Sequence, residues 1–407
     1  MKFSAYNISK SILSQLEEMD FKKPTDIQYK AIPYILKGED VMAVAQTGTG
    51  KTAAFVIPIL ERIITNQVNR KHLSCLVMVP TRELCLQISD VFKEIGKKTN
   101  VKTIAIHGGV DQNKQIDQLL KKADVLVTTP GRMFDLNAQG YLNLRNIQTL
   151  VLDESDIMLG LGFKKDIEDV MKYLPKKRQT LFFSATINKK IKSLAYKVVN
   201  NAIRIQFSPK NPVSKNVKHS VISIQMDDKR FFLENLINEY SDSSMIVFVR
   251  TKVRADRVQN AMNRVGIDVL SIHSGISQEE RFSILNAFRK AKQKVLVTTD
   301  VTARGIDLPA VEYVVNYDLP DNPENYVHRC GRTGRGRNKG MAISFCSSQE
   351  EQLLQDIEHY TGESIEKYEL NSMDYKLILK ETNDVNSDWK KLIKDFEKEN
   401  PNNSNVW

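Results

Sequence analysis

The run Ala45-Gln46-Thr47-Gly48-Thr49-Gly50-Lys51-Thr52 lies between an apolar stretch, Val41 to Ala45, and a helical pattern that begins near Lys51. A strand that ends in such a loop and feeds a helix commits the chain to α/β architecture. The glycines let backbone N–H groups turn toward an anion, and the helix presents its N-terminus to the same point. Lys51 is then placed to reach the β/γ-phosphates of a nucleotide and Thr52 to put its hydroxyl on Mg²⁺. Ala45 stands where the eight-residue pattern begins with glycine.

The rest of the chain keeps that architecture. Apolar runs at Val41 to Ala45, Leu76 to Val79, Thr103 to Ile106, Val125 to Thr128, Leu150 to Leu152 and Thr180 to Phe183 alternate with amphipathic stretches. Such runs read as strands of a parallel sheet buried on both faces. From Phe207 to Ser220 the pattern lapses into a polar, proline-broken linker. The rhythm restarts at Met245 to Val249, Val269 to Ile272, Val295 to Thr298, Val311 to Asn316 and Met341 to Phe345, with helical stretches near Lys252 to Arg264, Gln278 to Arg289 and Pro323 to Cys330. The second half has no phosphate loop of its own, so two sheets are expected to share one nucleotide site. The expected divisions are an N-terminal segment 1–29, a first α/β domain 30–206, the linker 207–220, a second α/β domain 221–370 and a tail 371–407. Six lysines balance six acidic residues between Lys376 and Glu399, which predicts a near-neutral surface helix packed through Trp389, Leu392, Ile393 and Phe396.

Charge and cysteine usage narrow the setting. No apolar run approaches the ~18 residues of a membrane span. Met1 to Gln15 has no signal-peptide core, and the scattered Cys75, Cys85, Cys330 and Cys346 fit reduced thiols. A soluble, monomeric, cytoplasmic protein is expected. The net charge of +10 favours a polyanionic partner. No single basic block carries that surplus, which predicts a groove spread over the fold rather than a basic arm.

Asp153-Glu154 follows Thr149 to Leu152, at the C-terminal edge of a strand, where α/β ligands bind. Asp153 suits a magnesium ion, held through one or two carboxylates plus phosphate oxygens, and Glu154 suits the attacking water. The same pair could serve as a plain helix cap. Upstream, Phe21 offers a stacking face. Gln28 carries donor and acceptor in one plane, the geometry that reads an adenine edge, although Pro24-Thr25 is equally a helix start.

Further motifs follow in order. They are Pro24-Thr25-Asp26-Ile27-Gln28, Ala45 to Thr52, Pro80-Thr81-Arg82-Glu83-Leu84, Gly108-Gly109, Thr129-Pro130-Gly131-Arg132, Asp153-Glu154-Ser155-Asp156, Ser184-Ala185-Thr186, Thr299 to Asp307, and His328 to Arg335. This set resembles the DEAD-box family of ATP-dependent RNA helicases, from about Phe3 to the region of Cys346. The resemblance implies two tandem RecA-like domains that close on ATP and RNA together. Phe21, Thr25, Gln28 and the loop Ala45, Gln46, Thr47, Gly48, Thr49, Gly50, Lys51, Thr52 would hold ATP, with Asp307 on the ribose. Lys51, Asp153 and Glu154 would be catalytic, joined by Arg332 and Arg335 as fingers on the γ-phosphate, a role that suits a guanidinium of permanent charge. Arg82, Gly108, Gly109, Thr129, Gly131 and Arg132 in the first domain, and Gln278, Arg281, Thr299 and Arg304 in the second, would hold the RNA backbone without reading its sequence. Asp156, Ser184, Thr186 and His328 would couple hydrolysis to unwinding.

Three positions depart from the family pattern. Ser155 and Thr302 replace common alanines, and Asp20 stands where glycine commonly precedes Phe21. Both carboxylates survive, so ATPase activity is expected. A buried Ser155 hydroxyl would need a partner, with Ser184 and His328 as candidates. The expected activity is RNA-stimulated ATP hydrolysis coupled to unwinding of short duplexes or remodelling of RNA–protein complexes. The alternative within the same motifs is an ATP-gated RNA clamp with little unwinding. A nucleotide switch without nucleic acid is opposed by the arginine and glycine positions in both halves.

Overall fold

Strands form where the short apolar runs stand, and parallel pairing aligns their ends. The computed structural model describes residues 2–45, 48–65, 72–206, 213, 216–291, 293–303, 308–334, 339–368 and 371–383. In the first of two compact units the strands are β1 (Val41–Val44), β2 (Cys75–Met78), β3 (Thr103–Ile106), β4 (Val125–Thr128), β5 (Thr149–Leu152), β6 (Gln179–Ser184) and β7 (Ile203–Gln206). They lie in the order β3-β4-β2-β5-β6-β1-β7, with every pairing parallel. Alternate residues of each strand enter opposite core layers. Val41, Ala43, Val77, Val127, Val151 and Phe183 pack in one, and Met42, Leu76, Leu126, Leu150 and Phe182 in the other. Both faces are covered by helices, as an all-parallel sheet requires.

The second unit repeats the plan with β8 (Val217–Ser223), β9 (Met245–Val249), β10 (Leu270–Ile272), β11 (Val295–Thr299), β12 (Tyr313–Asn316), β13 (Gly340–Cys346) and β14 (Glu366–Tyr368), in the order β10-β11-β9-β12-β13-β8-β14. Its pairings are also parallel. Two parallel seven-stranded sheets flanked by helices make the tandem RecA-like architecture expected from the sequence.

The divisions need correction at three places. Residues 217–220, expected in the linker, belong to β8 and pair with β13. The division at 29/30 falls inside the helix Asp26–Leu36, and Phe3, Ile8, Ile12 and Leu16 belong to the first unit's core rather than to a separate segment. In the tail, the helix Ser372–Asn383 packs on the second unit through Tyr375, Ile378 and Leu379, and Tyr375 Oη donates to Asp228 at 2.7 Å. Trp389, Leu392, Ile393 and Phe396 lie outside the described residues. No helix among the described residues is long and apolar enough to cross a membrane. All four cysteines are buried and unpaired, and burial pushes the Cys85 and Cys330 thiols up to about 12.

The second unit is locked by a buried ionic network. Lys229, fully buried, donates to the Tyr317 carbonyl at 2.8 Å, pairs with Glu350, and lies 3.9 Å from Asp318. Burial lowers its ammonium pKa, while Glu350 acts in the opposite direction. Arg250 and Arg254 reach Glu350 and Asp318 from the more exposed side. Removing one member of such a network leaves charge stranded in a low dielectric. Lys229→Met should therefore destabilise the protein by roughly 3–5 kcal/mol, measured as a shift in denaturation midpoint. A loss under about 1 kcal/mol would mean that the two arginines suffice.

Candidate nucleotide and RNA site

Because the strands are parallel, their C-terminal ends share one edge, and every first-unit motif except Pro24 to Gln28, which opens the helix Asp26–Leu36 before β1, follows such an end. The phosphate loop follows β1, Thr81-Arg82 follows β2, Gly108-Gly109 follows β3, Thr129 to Arg132 follows β4, Asp153 to Asp156 follows β5, and Ser184 to Thr186 follows β6.

In the loop, Ala45 is buried in the core and donates its N–H to the Ser184 carbonyl at 3.0 Å. Gly48 and Gly50 adopt φ of 79° and 89°, a region open to glycine. A Cβ on Gly50 would sit 2.5 Å from Gln28 Nε2 and 3.1 Å from Thr25 Oγ1, so this glycine is needed for close approach as well. Thr49 and Thr52 are half-buried, and Lys51 opens the helix Lys51–Thr65. Gln46 and Thr47 lie outside the described residues. Lys51 is 7% exposed, and its Nζ has no hydrogen-bond partner among the described residues. A buried ammonium without a partner fits a site built for phosphate oxygens.

Gln28 is buried and already engaged. Its Oε1 accepts from Thr25 N at 3.0 Å in a capping box, and its Nε2 donates to the Gly50 carbonyl at 3.1 Å. The amide thus ties the helix start to the phosphate loop, with one N–H and one lone pair left for a ligand edge. Phe21 is half-buried and packs on the Phe3 ring, centroids 6.2 Å apart. Asp20, before it, adopts φ of 58°, which explains why glycine suits that position.

Asp153 and Glu154 are 3% and 8% exposed. Burial raises the Asp153 carboxyl above the usual range, opposed by the Lys51 ammonium and by the Glu154 N–H, which donates to Asp153 Oδ1 at 2.9 Å. Glu154 holds a left-handed backbone, φ 50° and ψ 47°, at the N-cap of the helix Ser155–Gly160. A non-glycine residue there stores on the order of 1–2 kcal/mol of strain, of the kind that gathers at functional sites. The donor set fits a magnesium ion. Among the described residues no three His, Cys, Asp or Glu side chains could hold a metal together, and Mg²⁺ takes only one or two carboxylates beside phosphate oxygens and water.

Asp156 links the carboxylates to the next strand. Its Oδ2 accepts from Ala185 N, Thr186 N and Thr186 Oγ1 at 3.1–3.2 Å, and Ser184 Oγ donates to the Thr186 carbonyl at 2.7 Å. Ser155 is fully buried, and its Oγ donates to the Leu152 carbonyl at 3.2 Å. Its partner is therefore the preceding strand end, not Ser184 or His328. The main-chain oxygen three residues back is within reach of any helical serine, so no remote partner is required.

The candidate RNA positions of the first unit meet across neighbouring strand ends. The Arg82 guanidinium covers Gly109, where a Cβ would lie 2.0 Å from Nη1. Arg132 donates to Gln115 Oε1 at 2.9 Å and to the Val110 carbonyl at 3.1 Å, while Thr129 and Gly131 open the same helix, Pro130–Ala138. Gln115, which also donates to the His107 carbonyl at 3.0 Å, was not legible as a partner, since nothing in its spacing marks it. In the second unit Thr299 is buried at the end of β11, and its Oγ1 lies 3.2 Å from Thr302 Oγ1. Gln278 and Arg281 stand in the first turn of the helix Gln278–Arg289. Arg332 is 6% exposed, and His328 is half-buried in the helix Pro323–Cys330. Arg304, Asp307 and Arg335 lie outside the described residues. The fully buried Arg329, not among the candidate site residues, forms a two-pronged pair with Asp300 at 2.6 and 2.7 Å and also donates to Asn316 and the Asp318 carbonyl.

The DEAD/DEAH box helicase family model matches residues 25–194, and the helicase conserved C-terminal domain model matches residues 228–337. The chain is 38% identical over 372 residues to the ATP-dependent RNA helicase DbpA of Bacillus subtilis, covering 91% of this chain and 77% of that protein. It is 38% identical over 383 residues to the DEAD-box ATP-dependent RNA helicase RhpA of Helicobacter pylori, covering 94% and 77%. The chain belongs to the DEAD-box ATP-dependent RNA helicases. Among solved structures, S. cerevisiae Dbp5 bound to RNA and ADP BeF3 superposes with a TM-score of 0.83 at 33% identity, over 93% of the helicase described here and 99% of that chain.

Two substitutions test the geometry of this helicase. Gly50→Ala should weaken ATP binding at least ~10-fold, because the new methyl displaces Gln28 and the loop together; equilibrium titration with a fluorescent ATP analogue reads it. Ser155→Ala removes one hydrogen bond to a carbonyl already at a strand end. It should change stability by no more than about 1 kcal/mol and ATPase rate by less than about 10-fold.

Proposed function

We propose that this helicase divides its ATPase site between its two units. The observation that carries this reading is the buried Lys51 ammonium, without a hydrogen-bond partner among the described residues, beside the buried Asp153 and Glu154, at the edge where the phosphate loop ends. Lys51 and the loop hold the phosphates, and Gln28, Thr25 and Phe21 hold the adenine side. Asp153 and Thr52 would hold Mg²⁺, and the ion when bound would neutralise charge developing on the phosphoryl group. Glu154 orients and deprotonates the attacking water, with its carboxylate aimed by the strained backbone of residue 154. Arg332 and Arg335 complete the site from the second unit and Asp307 binds the ribose, so hydrolysis awaits closure of the two units on ATP and RNA. Closure is driven by differential affinity, since only the closed state adds those arginine contacts.

Arg82, Gly108, Gly109, Thr129, Gly131 and Arg132, with Gln278, Arg281, Thr299 and Arg304, grip the RNA backbone, so the strand is positioned without its sequence being read. Asp156 passes the state of the carboxylates to Ser184, Ala185 and Thr186 through its three accepted hydrogen bonds. Support comes from the relatives' names and from the RNA and ADP BeF3 bound in the Dbp5 structure. The Asp-Glu-Ser-Asp form of the motif keeps both working carboxylates and hence activity. We assign the protein to the cytoplasm as a monomer, supported by its four unpaired buried cysteines for the compartment. The names do not favour the clamp alternative.

Glu154→Gln keeps the shape of the side chain and removes its basicity. RNA-stimulated ATP hydrolysis should fall by at least ~10²-fold while ATP-analogue and RNA binding persist. Wild-type turnover in this variant would overturn the assignment. Strand displacement of a short RNA duplex, followed beside single-turnover hydrolysis of the wild-type protein, separates unwinding from clamping.

A further inference from the structure

The surplus positive charge of this chain is concentrated, contrary to the spread expected from the sequence. Residues 164–197 hold ten lysines and arginines against three acidic residues, a net +7 where the whole chain carries +10. Along the chain this surplus is interrupted by the apolar strand β6, so no single block displays it. The fold closes the gap. The helices Lys164–Tyr173 and Lys189–Val198 bury Ile167, Val170, Ile191, Leu194 and Val198 in one core layer, and Lys197 reaches across to Glu168 at 3.0 Å.

Their outward faces form one basic surface. Lys164 and Lys165 begin the first helix, Lys176 and Lys177 follow it, and Lys189, Lys190 and Lys192 lie on the second; all seven are exposed. Among the described residues the ion pairs of this stretch are Lys172 with Asp169 at 2.6 Å and Lys197 with Glu168; none of those seven lysines is in an ion pair, and Lys164 and Lys165 act on Glu168 and Asp169 only at longer range. Tyr173 and Tyr196 stand among them, 48% and 58% exposed. The surface also adjoins the motif positions. Tyr173 meets Phe134, ring centroids 6.2 Å apart, and Phe134 lies one turn beyond Gly131 and Arg132 on the helix Pro130–Ala138.

We propose that this two-helix face is a second RNA-binding surface, holding the phosphate backbone of the strand or duplex that flanks the segment gripped at the sheet edge. The inference rests on the proposed role of Thr129 to Arg132 as RNA contacts. Nine of the ten basic residues are lysines, compact charges without the fork that reads a guanine edge, so the surface grips phosphate and leaves sequence unread. The exposed tyrosines offer faces on which any base can stack. RNA is favoured over an acidic protein because a strand bound at the neighbouring helix presents its continuation at high effective concentration.

The experiment compares the wild-type protein with a variant carrying Gln at Lys164, Lys165, Lys189, Lys190 and Lys192, none of which is in an ion pair. Each is titrated with an RNA of about 6 nucleotides and one of about 30, bracketing the size of a single-strand site, in the presence of a non-hydrolysable ATP analogue and across a salt series. The variant should bind the long RNA at least ~10-fold more weakly and lose about 2 units from its log–log salt slope, at ~0.7 per phosphate contact. Its affinity for the short RNA, its RNA-stimulated ATPase on that RNA and its thermal midpoint should stay at wild-type values, and Arg at the same five positions should restore long-RNA binding. An equal loss with both lengths would overturn the proposal, because the lysines would then only add to the general field; so would no loss with either. Arg132→Ala run in parallel should weaken both lengths. If it weakens neither while the lysine variant still loses the long RNA, the reading of Thr129 to Arg132 fails and the second surface stands.

Discussion

The pairing of β1 with β6 is the constraint on which the rest of the candidate site's edge depends. Its register sets Val44 opposite Ser184, and the ladder continues one residue further through the Ala45 N–H to the Ser184 carbonyl. The phosphate loop and the Ser184–Thr186 segment therefore leave the sheet side by side. On the other flank of β6, Leu152 pairs with Phe182, so the carboxylates emerge one strand away. Main-chain ladders, not side-chain preferences, set these spacings. Asp156 then closes a ring by accepting three hydrogen bonds from Ala185 and Thr186. A shift of Asp156 with the carboxylates before it would be felt at the next strand end, since a stranded carboxylate or stranded N–H groups would each carry a desolvation penalty.

The same edge keeps three charged side chains nearly out of water. Lys51, Asp153 and Glu154 are all nearly inaccessible to water, and the Asp153 carboxyl is raised by its burial. Charges so placed interact strongly with whatever enters, because little solvent is left to screen them. The left-handed backbone at Glu154 adds strain that the adjacent β5 ladder and the Asp153–Glu154 hydrogen bond must hold. In an enzyme that acts through electrostatic positioning, such a preset arrangement avoids reorganisation at the moment of reaction.

Much of this was legible in the sequence for a plain physical reason. Strands buried on both faces are short unbroken apolar runs, and the motifs sit just past them, as at Leu152 before Asp153. The strands that escaped are those with one exposed face. β7 reads Ile-Arg-Ile-Gln, β8 begins Val-Lys-His-Ser after the prolines, and β14 is three exposed residues, so their pairing is decided by β1, β8 and β13 rather than by their own composition. The candidate site residues were named by type and order. What was hidden is partner choice. Gln28 spends half its amide on Thr25 and Gly50, and the clustering of basic residues between 164 and 197 appears only when two helices are laid together across an intervening strand.

The departures from the family pattern show how local backbone absorbs unusual side chains. Asp20 occupies a left-handed turn that it tolerates better than most non-glycine residues. Ser155 turns its hydroxyl back to Leu152. Thr302 is more consequential. Its buried hydroxyl meets that of Thr299, whose side chain stands at the end of β11. Thr299 donates and Thr302 accepts. The Thr299 proton is thus satisfied on Thr302. An alanine at 302 would leave the buried Thr299 hydroxyl without this partner, and the extra oxygen is thus a support for Thr299 rather than an intrusion into the motif.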